Sequence, residues 1–163
     1  MSSPRKNLVS RIVSGGQTGA DRAALDWAIR NRVPHGGWCP RGRIAEDGVL
    51  AEKYELREAQ SPDYRWRTRQ NVTDSDGTLI LNIGTLDGGT LETTKFAEGF
   101  GKPHLLLQLD SGVRDEDILQ LLDWLRGESI GALNVAGPRE SKRPGIYALT
   151  CEFLDRAAKA RRR

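Results

Sequence analysis

The chain is poor in the residues on which several common chemistries depend. It has two cysteines, Cys39 and Cys151, far apart and matching no metal-ligand or redox spacing. That excludes a disulfide framework and points to free thiols in a reduced, cytoplasmic setting. Its two histidines, His35 and His104, fall at predicted strand starts, away from the glycine-rich loops, and no Ser-His-Asp order emerges. No apolar run is long enough to cross a bilayer, and the first residues, Met1 to Asn7, lack the apolar stretch of an export signal. Without export, the sequon Asn71-Val72-Thr73 carries no glycan. Repeats and low-complexity segments are absent too.

Excess charge of one sign is also missing once the charge is located. The 25 basic and 22 acidic side chains give +3 over 163 residues. Setting aside Lys159, Arg161, Arg162 and Arg163 leaves 21 against 22, so the basic excess is a C-terminal tail rather than a face. This argues against nucleic acid as a partner, and nothing argues for a membrane. What remains, 37% hydrophobic and 29% charged, is the composition of one globular domain over 1–163, with 1–7 and 159–163 as flexible tails.

Short apolar, β-branched runs alternate with amphipathic stretches. Strands are expected at Leu8 to Val13, His35 to Trp38, Thr78 to Ile83, His104 to Leu109 and Ala132 to Ala136. Ala20, Ala23, Ala24, Trp27 and Ala28 recur on one face of a helix, and further helices are expected over Tyr64 to Thr73, from Gly88 to about Phe100, over Asp115 to Arg126, and from Pro144-Gly145 onward. Residues 40 to 63, rich in turn signals, read as a long functional loop with little regular structure. Five strands alternating with helices predict an α/β, Rossmann-like, doubly wound and mainly parallel sheet with helices on both faces. Ligands of such folds bind beyond the carboxyl ends of the strands.

Three glycine-rich segments fall at that edge. Gly15-Gly16-Gln17-Thr18-Gly19 follows the first strand, Gly88-Gly89-Thr90 with Thr93 follows the third, and Gly137-Pro138-Arg139-Glu140-Ser141 follows the last. Glycines that let backbone N–H groups converge, followed by a helix N-terminus, suit an anion. Thr18 and Ser141 either cap a helix or donate to a phosphate oxygen, and Arg139 offers a bidentate guanidinium. A plain strand-to-helix turn accounts for any one segment; three at one edge are harder to dismiss. Arg41 and Arg43 close a fourth strand there and are either clamps or solvated loop residues. Cys39 reads as a small core residue, Asp74-Ser75-Asp76-Gly77 as a turn, and at most two of Arg65, Arg67 and Arg69 can reach the site.

In order along the chain, Ser14-Gly15-Gly16-Gln17-Thr18-Gly19-Ala20-Asp21, Gly37-Trp38-Cys39-Pro40-Arg41-Gly42-Arg43, Ala45-Glu46-Asp47-Gly48 and Tyr54-Glu55-Leu56 are followed by Tyr64, Arg67-Thr68, Asn71-Val72, Asp74 to Thr78, Gly88-Gly89-Thr90 and Asn134 to Ser141. With this ordered set, from about Ile12 to Phe153, the sequence resembles the molybdenum-cofactor carrier proteins, a branch of the SLOG superfamily near the YpsA-like and LOG groups. The resemblance implies a homo-oligomer, dimer or tetramer, that binds the phosphate-bearing, molybdenum-loaded molybdopterin on its glycine loops. Its partners are then molybdoenzymes or cofactor-biosynthesis proteins, and it has no catalytic residues. The related LOG enzymes, nucleoside-monophosphate phosphoribohydrolases, carry Pro-Gly-Gly-x-Gly-Thr-x-x-Glu; here Asp87 to Thr94 lacks the proline and the third glycine, and Glu92 stands two residues after Thr90 instead of three. Nucleotide binding, as an enzyme at Glu92 or Glu140 or as a sensor, stays open as the alternative.

Overall fold

Alternating strands and helices require parallel pairing, and every pairing in the central sheet is parallel. A computed structural model describes residues 7–163. In chain order the elements are β1 (Arg11–Val13), α1 (Ala20–Arg30), β2 (His35–Gly36), β3 (Trp38–Cys39), a 3-10 turn over Arg41–Arg43, β4 (Ile44–Ala45), β5 (Gly48–Val49), β6 (Arg57–Glu58), α2 (Tyr64–Thr73), β7 (Gly77–Asn82), α3 (Gly88–Gly99), β8 (His104–Gln108), α4 (Asp115–Gly127), β9 (Ala132–Ala136) and α5 (Ile146–Arg161). The central sheet runs β2-β1-β9-β7-β8.

Side-chain alternation along the strands divides the molecule. Leu79, Leu81, Leu133 and Val135 join Ala24, Trp27, Leu121, Leu125, Phe153 and Leu154 of α1, α4 and α5 in one apolar cluster. The alternate positions, Thr78, Ile80, Asn82 and Asn134, face the other side, where α2 and α3 pack together. Three of those four are polar, and Asn134 donates to Thr78 Oγ1 at 3.2 Å. One layer is therefore a dry core. The other is a polar floor.

Three expectations change. The strand expected over His35 to Trp38 is two, because Gly37 turns the backbone (φ 130°) against Ser14. β2 continues the central sheet, while β3 pairs with β6. The 40–63 loop forms two miniature ladders, β4–β5 within itself and β6 against β3, over a satellite core in which Cys39, Ala45, Leu50, Tyr54 and Leu56 pack on Leu25 of α1. α5 runs to Arg161, taking in part of the tail read as flexible; of the N-terminal tail, all but Asn7 lies outside the described residues. Asn71, the sequon residue, is only 3% exposed and clasps Trp38, its Oδ1 accepting from the Trp38 amide at 2.8 Å and its Nδ2 donating to the carbonyl at 3.0 Å.

Candidate functional site

The carboxyl ends of β1, β9 and β7 open into a cavity of about 440 Å³, within the range usual for small-molecule sites. Its walls come from four places, and Pro40 also lines it. The loop after β1 supplies Gly15 and Gln17 and the first turn of α1 supplies Asp21; β9 and its loop supply Asn134 to Arg139 and then Lys142; α3 supplies Gly88, Gly89, Thr90 and Thr93. The fourth wall is α2, through Tyr64, Arg67, Thr68 and Asn71. Those four stand at i, i+3, i+4 and i+7, one face of a helix.

The α3 end of the cavity is built for an anion. Its N-cap, Asp87, makes no side-chain cap to the helix. The Asp87 carboxylate turns instead to Lys142 Nζ at 2.5 Å and Arg143 Nη2 at 3.6 Å. The first amides of α3 are left to the cavity with the positive end of the helix dipole. A methyl group at Gly89 would touch nothing within 4 Å, so the backbone there is open to a ligand. Thr93 spends its hydroxyl on Gly89 O at 2.9 Å.

At the β1 end, Arg67 and Asp21 meet over Gly15, whose missing Cβ would collide with Arg67 Nη1 and lie 3.2 Å from Asp21 Oδ2. Arg67 Nη1 donates to Gly15 O at 3.0 Å, and its Nε is buried without a partner. Burial pushes the Asp21 carboxyl up to about 6, against the lowering pull of Arg67, the Gln17 amide and Arg22. Asp21 is the one carboxylate among the described residues lining the cavity. Ser14 fixes this turn, donating to Asp21 O at 2.9 Å and accepting from the Gly16 amide at 3.2 Å.

Of the residues expected at the site, Gly15, Gln17, Gly88, Gly89, Thr90, Thr93, Gly137, Pro138 and Arg139 line the cavity, and Gly16, Thr18, Gly19, Arg41, Arg43, Glu140 and Ser141 do not. Gly16 (φ 81°) sits against Leu50 and Leu56, where a Cβ would come within 2.9 Å of both. Gly19 permits the close approach of the Pro138 carbonyl. Arg43 is no clamp: it donates to the carbonyls of Leu56, Ala51 and Tyr54 at 3.1, 2.9 and 2.8 Å and staples the long loop. Arg41 lies exposed outside the cavity. Glu140 accepts from the Gly145 and Tyr147 amides at 2.6 and 2.9 Å, serving the start of α5.

Thr18 and Ser141 already hold an anion, the carboxylate of Glu46. Thr18 Oγ1 donates to it, Ser141 Oγ donates at 2.5 Å, the Ser141 amide at 3.2 Å, and Arg139 Nε stands 3.4 Å away. The Ser141 and Thr18 bonds hold its carboxyl below the usual carboxylate range. Beside it, Arg22 grips Asp47 with two bonds of 2.9 and 3.0 Å. The sequence assigns no site role to Glu46, Asp21, Tyr64 or Asn71 and leaves Arg67 as one of three arginines of which at most two reach the site. The helical spacing of the α2 face was the signal for the last three; for Glu46 there was none. Glu92 pairs with Arg65 at 2.9 Å and stays out of the cavity, and Cys39 is buried in the satellite core, which raises its thiol pKa.

The pattern of the circularly permuted YpsA SLOG family matches residues 12–158. Among solved structures the chain is similar to one from Syntrophus aciditrophicus SB named "Putative molybdenum carrier protein", with a TM-score of 0.88 and 47% identity over 92% of this chain and 95% of that one. No curated protein matches. Among the described residues, no helix is long and apolar enough to cross a membrane.

Proposed function

The chain belongs to the circularly permuted YpsA SLOG family, and on that premise we propose that it is a binding protein whose cavity holds the phosphate-bearing molybdopterin of the molybdenum cofactor. The observation that carries this reading is the α3 rim, where uncapped amides at Gly88-Gly89-Thr90 open to the cavity beside Lys142, whose Nζ stands against Gly88. A phosphate there meets backbone donors and a helix dipole, with Lys142, which also pairs with Asp87, beside them. The donor set fits the cofactor's organic part: amides and Lys142 for phosphate, with Asp21 and Arg67 available to the pterin. The metal is cargo on its own dithiolene; no cysteine lines the cavity, and no cluster of three metal-ligating side chains occurs among the described residues. The name of the Syntrophus protein supports the same ligand. Such a protein would store the cofactor and pass it to molybdoenzymes or to cofactor-biosynthesis proteins.

Glu92 pairs with Arg65 and Glu140 accepts from amides at the start of α5, and neither lines the cavity, which favours binding over hydrolysis at those two residues. The test is anaerobic incubation with cofactor released from a molybdoenzyme, followed by gel filtration and molybdenum analysis. Molybdenum should co-elute with the wild-type protein and fall at least tenfold with Gly89→Val, which fills the open wall without touching the core. Absence of molybdenum from the wild-type peak under saturating conditions overturns the proposal, as does full retention by a folded Gly89→Val.

A further inference from the structure

The end of the cavity away from α3 presents a donor and an acceptor side by side, and neither is used up. Arg67 and Asp21 both lie against the bare face of Gly15. Arg67 spends one Nη1 bond on the Gly15 carbonyl and leaves its buried Nε unpartnered. Asp21 lines the cavity with only the Gln17 amide against its carboxyl and no ion pair inside 4 Å among the described residues, which leaves it room to accept more. A carboxylate so placed is costly unless something supplies it with hydrogens.

The two ends lie at a useful separation. β1, which delivers Asp21, and β7, which delivers the start of α3, flank β9 in the sheet. Two interstrand steps put them roughly 10 Å apart, on the order of the distance from the phosphate of a mononucleotide to the far edge of its base. Tyr64, about half exposed at the start of α2, adds a ring to the lining of the same cavity.

From this arrangement, which rests on the phosphate being held at α3, we infer that Asp21 and Arg67 read the 2-amino-4-oxopyrimidine edge shared by guanine and pterin rings. That edge presents a carbonyl oxygen, a ring N–H and an amino group in a row. Arg67 donates to the oxygen, and the two oxygens of Asp21 accept from the ring N–H and the amino group. Adenine presents one donor beside a bare ring nitrogen; it fills one oxygen of the carboxylate and sets a lone pair against the other. Hypoxanthine keeps the oxo and the ring N–H and loses the amino donor. The site therefore ranks guanine above both, and Asp21 is its specificity-determining residue.

Titration calorimetry with GMP, IMP, AMP and neopterin 3′-phosphate tests this on the wild type, Asp21→Asn and Gly89→Val. GMP should bind about tenfold or more tighter than IMP or AMP. Asp21→Asn should erase that ranking, leaving the three nucleotides within a few-fold of one another, while Gly89→Val should weaken all of them together. The same Asp21→Asn loss on neopterin 3′-phosphate extends the assignment to pterins, and its confinement to GMP assigns the edge to a nucleotide. AMP bound as tightly as GMP by the wild type overturns the inference. An equal loss of AMP and GMP on Asp21→Asn also overturns it, because Asp21 would then be reading the shared ribose. If Gly89→Val weakens binding but Asp21→Asn changes nothing, the Asp21 inference fails and the cavity reading stands. If none of the four ligands binds the wild type, the Asp21 inference fails, while the cofactor reading stands or falls on co-eluting molybdenum.

Discussion

Burial holds the Asp21 carboxyl near 6, well above the ordinary value of 3.8, even with Arg67 close by. The folded protein thus resists an ionisation that the unfolded chain accepts. As pH rises from about 4 through 6, the unfolded chain loses this proton first, and stability that was fully present below that window is lost across it. Glu46 acts in the opposite sense: its lowered pKa gives stability at neutral pH that is lost as pH falls. Overall pH dependence mixes the two, but a variant at one residue separates them. Asp21→Asn should be more stable than the wild type at pH 7.5, by on the order of 1–3 kcal/mol, with the gap closing toward pH 4. Urea midpoints at the two pH values measure it; a gap that persists unchanged at pH 4 would show that Asp21 carries no such burden. A residue kept at a cost to stability in the wall of a cavity is what a binding role predicts.

At the level of elements, the long loop is the part least legible in the sequence. β7, β8 and β9 are short apolar runs between turn signals, and α1 and α4 carry full apolar stripes, so periodicity alone locates them. The 40–63 segment has no period. It is ordered by scattered side chains, Leu50, Tyr54 and Leu56, that find Leu25 only in three dimensions, and by Arg43, which satisfies three loop carbonyls. The same distinction holds at the site. Glycine loops before helices announce an anion-binding edge, but which donors remain free depends on Glu46 having taken Thr18 and Ser141. Charged hydrogen bonds such as those of Arg43 are worth about 1.5–3 kcal/mol each. Bonds that share one guanidinium do not add independently, so Arg43→Ala should cost about 2–3 kcal/mol in all and raise amide hydrogen exchange across residues 44–58, with β7 to β9 protected as before. Exchange unchanged in 44–58 would show that the satellite core orders the loop by itself.

For the whole molecule, the strand order explains why the family is described as permuted. Counted from the N-terminus, the five strands of the central sheet lie in the order 2-1-5-3-4. Counted from β7 onward, with β1 and β2 last, the same sheet reads 5-4-3-1-2, the flavodoxin-like order 2-1-3-4-5 seen from the other edge. In that order the ligand crevice opens between the first and third strands, here β7 and β9, and both strands feed loops into the cavity. Geometry permits the reconnection. α5 returns from the carboxyl edge of β9 to the opposite edge, where β1 begins. A chain opened between Ser61 and Asp63, ahead of α2, with Arg163 joined to Met1 by a short glycine-serine linker, keeps every pairing and every wall of the cavity. It should fold cooperatively, show the same far-ultraviolet circular dichroism, and bind within a few-fold of the wild type, because the contacts that fix the site cross between elements rather than follow the chain. Loss of the site in a folded permutant would mean that the 58–64 connection, rather than sheet order, holds α2 over the cavity.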